Sequence, residues 1–223
     1  MRIEFVRKLE RYIKGRVNRL FIHNSDFTIV SNNCWGTFIY KQYALPYNSP
    51  FVNLIIFAPD YLDLLENFSI DVLKKLSFIE NTQSKYKDYL ISIGLGELDY
   101  PIGILDNKYE IHFLHYSSVE EAKNKWLKRI DRINLNKMIF KFSDGDLFES
   151  NGTLFNEDMV ERFDNLKFKN KVAFMSKDFP KYKSVITLEK FKGENQVKDE
   201  WKHSKKEFNV TNFLNNIYIN EEI

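Results

Sequence analysis

The sequence predicts a three-layer α/β/α fold around a mainly parallel, or mixed, sheet. Short apolar runs at 27–30, 54–57, 111–116, 137–142 and 172–175 are too brief for helices, and most stop at Ser, Asn, Asp or Pro. Segments of helical period separate several of them, as after Cys34 and after Pro59. Strand, polar turn and helix follow one another twice between Asp26 and Phe68, the opening pattern of a parallel α/β sheet.

The chain begins with an amphipathic helix, placed at 1–24, in which Ile3, Val6, Leu9, Ile13, Val17 and Leu20 recur at helical spacing. Seven basic residues against two glutamates give residues 1–20 a net charge of +5. Such an arm can lie on an anionic bilayer, and the competing expectation is a stripe packed against its own domain. Residues 27–30 form a strand stopped by Ser31-Asn32-Asn33, whose side chains favour local backbone bonds. Trp35, Phe38, Ile39 and Tyr43 then set a helical period, so Cys34 falls at a helix N-terminus. A second buried strand at 54–57 leads through Ala58-Pro59-Asp60 into a helix carrying Tyr61, Leu64, Leu65 and Phe68.

Ile70, Leu73 and Leu76 read as helix, Phe78 and Ile79 as a short strand. Residues 89–93 and 102–105 read as two strands about a glycine turn. Gly94-Leu95-Gly96 lacks the third glycine and following helix of a dinucleotide fingerprint. A strand at 111–116 precedes a helix through Ala122, Trp126 and Ile130, capped by Ser117 or Ser118. Further strands are expected at 137–142, 172–175 and 185–188, with a helix at 155–163 between the first two. Residues 189–223 read as a charged loop and a short terminal helix, within a single domain spanning 1–223.

With 43% hydrophobic residues, 223 residues suffice for one sizeable core. A formal charge of +2 argues against a dedicated nucleic-acid binder, and one cysteine excludes an internal disulfide. No apolar run approaches the roughly 20 residues of a spanning helix, nor is a secretory pattern visible. The expected location is the cytoplasm, with peripheral contact on the inner membrane face through residues 1–20.

Four strand ends, TIVSN, HYSS, FKFSD and AFMSK, place serine beside another polar residue. Parallel strands would gather these groups on the carboxyl rim, where α/β proteins hold ligands; repeated helix capping is the plainer account. Cys34 is a candidate nucleophile because a helix N-terminus favours thiolate, although lone cysteines are commonly buried hydrophobes. His112 and His115 lie at odd spacing, which sends strand side chains to opposite faces and argues against a shared metal. His115, nearer the strand end, is the candidate base. Asp144-Gly145-Asp146 could hold a divalent cation against a diphosphate or form an ordinary acidic turn. Asn32 and Asn33 offer amides to hydroxyls or an oxyanion, and Lys177 offers a cation to phosphate or carboxylate. Trp35, Asp60 and Ser143 complete the expected substrate contacts.

The strings VSNNCWGTFIY, LPYNSPF and FAPDY, followed by YPIGIL, EIHFLHY, KFSDGD and KNKVAFMSK, resemble a bacterial family called domain of unknown function nineteen-nineteen. Its members are often labelled exopolysaccharide or capsule biosynthesis proteins. The resemblance runs from about Phe27 to Val197 and implies surface polysaccharide assembly without a catalytic roster. In that setting the expected partner is a carbohydrate or an activated-sugar or acyl donor, and the resemblance leaves the cofactor open. Acyl transfer would use Cys34 or a rim serine, His115, Asn32 and Asn33; glycosyl transfer would use Asp144 and Asp146 to hold a metal. The alternative is a non-catalytic carbohydrate-binding or membrane-docking assembly protein.

Overall fold

Strands buried on both faces carry near-continuous apolar runs, and their alternate side chains must feed two different cores. The computed structural model, which describes residues 2–95, 98–145 and 154–219, has this arrangement. In chain order its elements are α1 (Arg2–Arg19), β1 (Thr28–Ser31), α2 (Trp35–Gln42), α3 (Ala58–Glu66), α4 (Ile70–Lys74), β2 (Leu76–Ile79), α5 (Lys87–Ser92) and β3 (Ile102–Leu105). They continue with β4 (Tyr109–His112), α6 (Val119–Ile130), β5 (Met138–Ser143), α7 (Asp158–Asn165), β6 (Lys171–Met175), β7 (Val185–Thr187), α8 (Glu200–His203) and α9 (Val210–Asn215).

The order β1-β5-β6-β7 makes a four-stranded sheet in which every neighbouring pair is parallel. Val30, Phe140, Phe142, Ala173 and Met175 pack on one face with Tyr61 and Leu64 of α3, Trp126 of α6 and Phe163 of α7. Ile29, Ile139, Val172 and Phe174 pack on the other with Trp35 and Ile39 of α2 and Leu214 of α9. Helices thus cover both sheet faces, and the α/β fold class expected from the sequence is observed. A separate antiparallel sheet, β2-β3-β4, supplies the antiparallel strands.

Residues 54–57 do not form the expected strand. Ile55 exchanges two hydrogen bonds with His112, Ile56 donates to the Asn32 carbonyl at 2.9 Å, and no longer ladder forms. Asn53 in left-handed geometry (φ 60°) and the helix start at Ala58 leave room for little more. This bridge ties the end of β1 to β4. Residues 89–93, expected as a strand, belong largely to α5; Tyr86, Tyr89, Leu90 and Ile93 place one helical face on Phe57. The expected strand at 111–116 ends at His112, and a turn closed by Tyr116 N–H to the Phe113 carbonyl follows.

The stripe on α1 does not pack on its own domain. The helix meets the end of α2 through Gly15, where a Cβ would lie 3.2 Å from the Lys41 carbonyl oxygen and 3.0 Å from Ala44 Cβ just beyond, and Asn18 donates to the Gln42 carbonyl. Val6, Leu9, Ile13, Val17 and Leu20 remain exposed. Among the described residues, no helix is long and apolar enough to cross a membrane.

Candidate functional site

Because β1, β5 and β6 are parallel, Ser31, Ser143 and Ser176 stand at one carboxyl edge. The fourth serine motif does not join them. It follows antiparallel β4, where Ser118 accepts from Glu121 N–H at the start of α6 and Ser117 donates to the Glu121 carboxylate. Capping explains that pair.

Beneath the rim lies a fully buried cation. Lys141 and Ser143 are two residues apart on β5 and share a face, and Lys141 stands in register with Ser31. Lys141 Nζ contacts Asn33 Oδ1 and Ser143 Oγ at 2.9 Å and Asn32 Oδ1 at 3.3 Å, and it pairs with Glu200 Oε1 of α8. Asn33 Nδ2 donates to the same Glu200 oxygen at 2.7 Å, while Asn33 Oδ1 also accepts from Trp35 N–H as α2 begins. The expected substrate contacts Asn32, Asn33 and Ser143 are therefore engaged within the protein. Burial lowers the Lys141 pKa, and the Glu200 charge opposes that shift. Glu200 escaped sequence reasoning because it lies in a charged segment read as loop. A lysine between Phe140 and Phe142 in a buried strand was the available signal, since such a charge requires a buried partner.

Asp144 follows directly and faces a cleft. Its Oδ2 accepts from both the N–H and the hydroxyl of Ser176 at 2.7 Å, and Oδ1 accepts from Val197 N–H at 2.9 Å. Gly145 permits this approach, since a Cβ there would sit 2.4 Å from the Val197 carbonyl oxygen. Burial pushes the Asp144 pKa up to about 6 against the three hydrogen bonds, and the Glu200 charge adds to the rise. The cleft measures about 420 Å³ and is lined by Asp144, Ser176, Lys177, Asn156, Glu157 and Asn195, among others. Lys177 lies at its exposed margin, paired with Glu157 at 3.0 Å.

Cys34 immediately precedes α2, as expected, but its Sγ is directed to the Leu54 carbonyl at 3.9 Å. Burial pushes the thiol up to about 11, with Glu200 adding to the shift, so desolvation outweighs the helix N-terminus. His115 lies in the turn beyond β4, its pKa lowered by partial burial and by Lys41. Among the described residues no hydrogen bond joins it to Cys34. Trp35 is wholly buried against Phe174, a core position rather than a sugar-facing one.

Asp60 belongs to a second polar cluster. It accepts from Glu110 N–H at 2.7 Å and pairs with Lys85 at 2.5 Å; burial raises its pKa and Lys85 opposes the rise. Glu110 in turn lies 2.9 Å from His112 Nε2, and the Tyr100 hydroxyl lies 3.2 Å from the other ring nitrogen, Nδ1. These groups stiffen the junction of α3 with the antiparallel sheet.

Asp146 lies outside the described residues. Asp144 itself fits a divalent cation poorly, since three protein donors already point at its oxygens. Among the described residues, no group of three or more His, Cys, Asp or Glu side chains is arranged to hold a metal.

The model of the family described as domain of unknown function (DUF1919) matches residues 5–220. A protein of Haemophilus influenzae, described as uncharacterized, is 34% identical over 199 residues, covering 89% of this chain and 85% of that protein. The family match extends across the sheet, the rim and α8, the relative is similar over most of the chain, and the chain belongs to the DUF1919 family.

Proposed function

We propose that the protein transfers a glycosyl group from an activated sugar to a carbohydrate acceptor in surface polysaccharide assembly, and that it does so at the Asp144 cleft. The observation that carries this reading is a carboxyl group with a pKa raised to about 6, held by three hydrogen bonds, lining a polar cleft of about 420 Å³ at the carboxyl edge of a parallel sheet. A carboxylate titrating near neutrality is suited to general-base chemistry. The acceptor hydroxyl oxygen forms the new bond to the anomeric carbon, its proton passes to Asp144, and the bond from that carbon to the donor phosphate breaks. The departing phosphate carries the electron pair away, and Lys177 at the cleft margin would leave Glu157 to meet its charge. Asn156, whose Oδ1 accepts from Met159 N–H at 3.3 Å, can turn its side-chain NH2 to a sugar hydroxyl at the cleft. The polysaccharide setting comes from the sequence resemblance.

Acyl transfer through Cys34 has less support, because burial holds its thiol protonated and, among the described residues, no base is bonded to it. A non-catalytic carbohydrate-binding role is favoured by one observation, that Asp144 already accepts from three protein donors. Thermal melts and transfer assays with nucleotide sugars, acyl-coenzyme A donors and oligosaccharides separate these readings. Glycosyl transfer predicts a melting shift with a nucleotide sugar and product formation lost in Asp144→Asn. A shift with an acyl donor instead contradicts it, and binding of oligosaccharide without turnover supports the non-catalytic role.

A further inference from the structure

Independently of the cleft, we propose that α1 is a docking surface for an anionic phospholipid bilayer. The helix has two unlike sides. Gly15 and Asn18 face α2, while Val6, Leu9, Ile13, Val17 and Leu20 line the opposite side. Leu20 is 81% exposed, and Phe21, just past the helix end, is 63% exposed. Packing a helix through glycine and asparagine while leaving its aliphatic stripe outside reverses the usual arrangement in a globular domain.

Charge selects the occupant. Residues 1–20 carry +5 while the whole chain carries +2, so the rest is net negative and the positive charge is concentrated on this arm. By helical spacing, Arg16 borders one edge of the stripe, Glu10 and beyond it Lys14 border the other, and all three are exposed. An anionic bilayer accepts the aliphatic side chains below its headgroups and neutralises the flanking cations. A helix of 18 residues, about 27 Å long, lies in that plane rather than crossing it. The domain would then be held at the membrane by a face that takes no part in its own core.

The test is vesicle flotation of the full chain with mixed phosphatidylglycerol and phosphatidylcholine vesicles, with pure phosphatidylcholine vesicles, and with light scattering to give the oligomeric state. Two variants are compared, Ile13→Glu with Leu20→Glu, and Lys14→Glu with Arg16→Glu. All four side chains are exposed, so the melting temperature should be unchanged and serves as the folding control. Binding to the anionic vesicles alone is expected, reduced by salt, by about tenfold or more in the apolar variant and by about fivefold or more per reversed charge. Equal binding to both vesicle types, no binding to either, or a dimer dissociated by the apolar variant in place of vesicle binding would overturn the proposal.

Discussion

Ser176 directs two donors at one oxygen of Asp144: its backbone N–H and its hydroxyl each lie 2.7 Å from Oδ2. The orientation of the carboxyl therefore depends on the first residue after β6, and Val197 N–H fixes the other oxygen. Ser176→Ala removes one donor and keeps the other. The expected cost is about 1.5–3 kcal/mol of stability at neutral pH, because the hydroxyl serves a charged acceptor. The same change should move the acidic limb of any activity profile to higher pH, which a comparison of pH–rate curves would read.

The raised pKa of Asp144 sets a pH dependence whose sign is definite. Its folded value, about 6, lies above the ordinary 3.8, so the folded state holds the proton more tightly than the unfolded chain. That contribution is fully present below pH 3.8 and is lost as pH rises through 6. Urea unfolding of wild type and Asp144→Asn should therefore show the wild type losing stability relative to the variant across this window. A difference that stays flat, or grows with pH, would contradict the assignment.

Lys141 and Glu200 should behave as a unit. Replacing Lys141 alone by Met leaves a carboxylate buried without its partner, at a cost of about 3–5 kcal/mol. Replacing Glu200 by Leu as well should recover much of that loss, since a buried pair is often replaceable by apolar side chains. A double-mutant cycle by denaturant unfolding checks this. Additive losses would mean that the pair does not act as one element.

The Cys34 thiol, pushed up to about 11 by burial, should react slowly with a thiol reagent at neutral pH. Labelling of native protein is expected to be slower by at least about tenfold than labelling of unfolded protein. Cys34→Ala should retain ligand binding; its loss would restore the thiol to the mechanism.

The parallel strands were legible because a strand covered by helices on both sides must be apolar along its length, as in Ile139-Phe140 and Val172-Ala173-Phe174-Met175. The rim was legible in part. Ser143, Asp144 and Ser176 followed from strand ends, but HYSS looked the same and belongs to an antiparallel sheet, a difference set by long-range pairing. Tyr89, Leu90 and Ile93 suit a strand locally and became helical because Phe57 accepts them at helical spacing. Glu200 was hidden by its charged neighbours. Val197 and Trp201 of that segment pack into the second core, yet no local pattern shows that the Glu200 carboxylate meets a lysine 59 residues away. The outward stripe on α1 was equally undecidable, since only the fold reveals that Gly15 is the contact.

The most direct measurement is amide hydrogen exchange with and without the nucleotide sugar that raises the melting temperature, on wild type and Lys177→Glu. Occupancy of the cleft predicts protection at 143–145, 154–157, 175–178 and 195–197 in the wild type, and its loss in the variant. Protection confined to 84–86 and 108–112, around Asp60 and Glu110, or to α1, would contradict the account and move the site elsewhere.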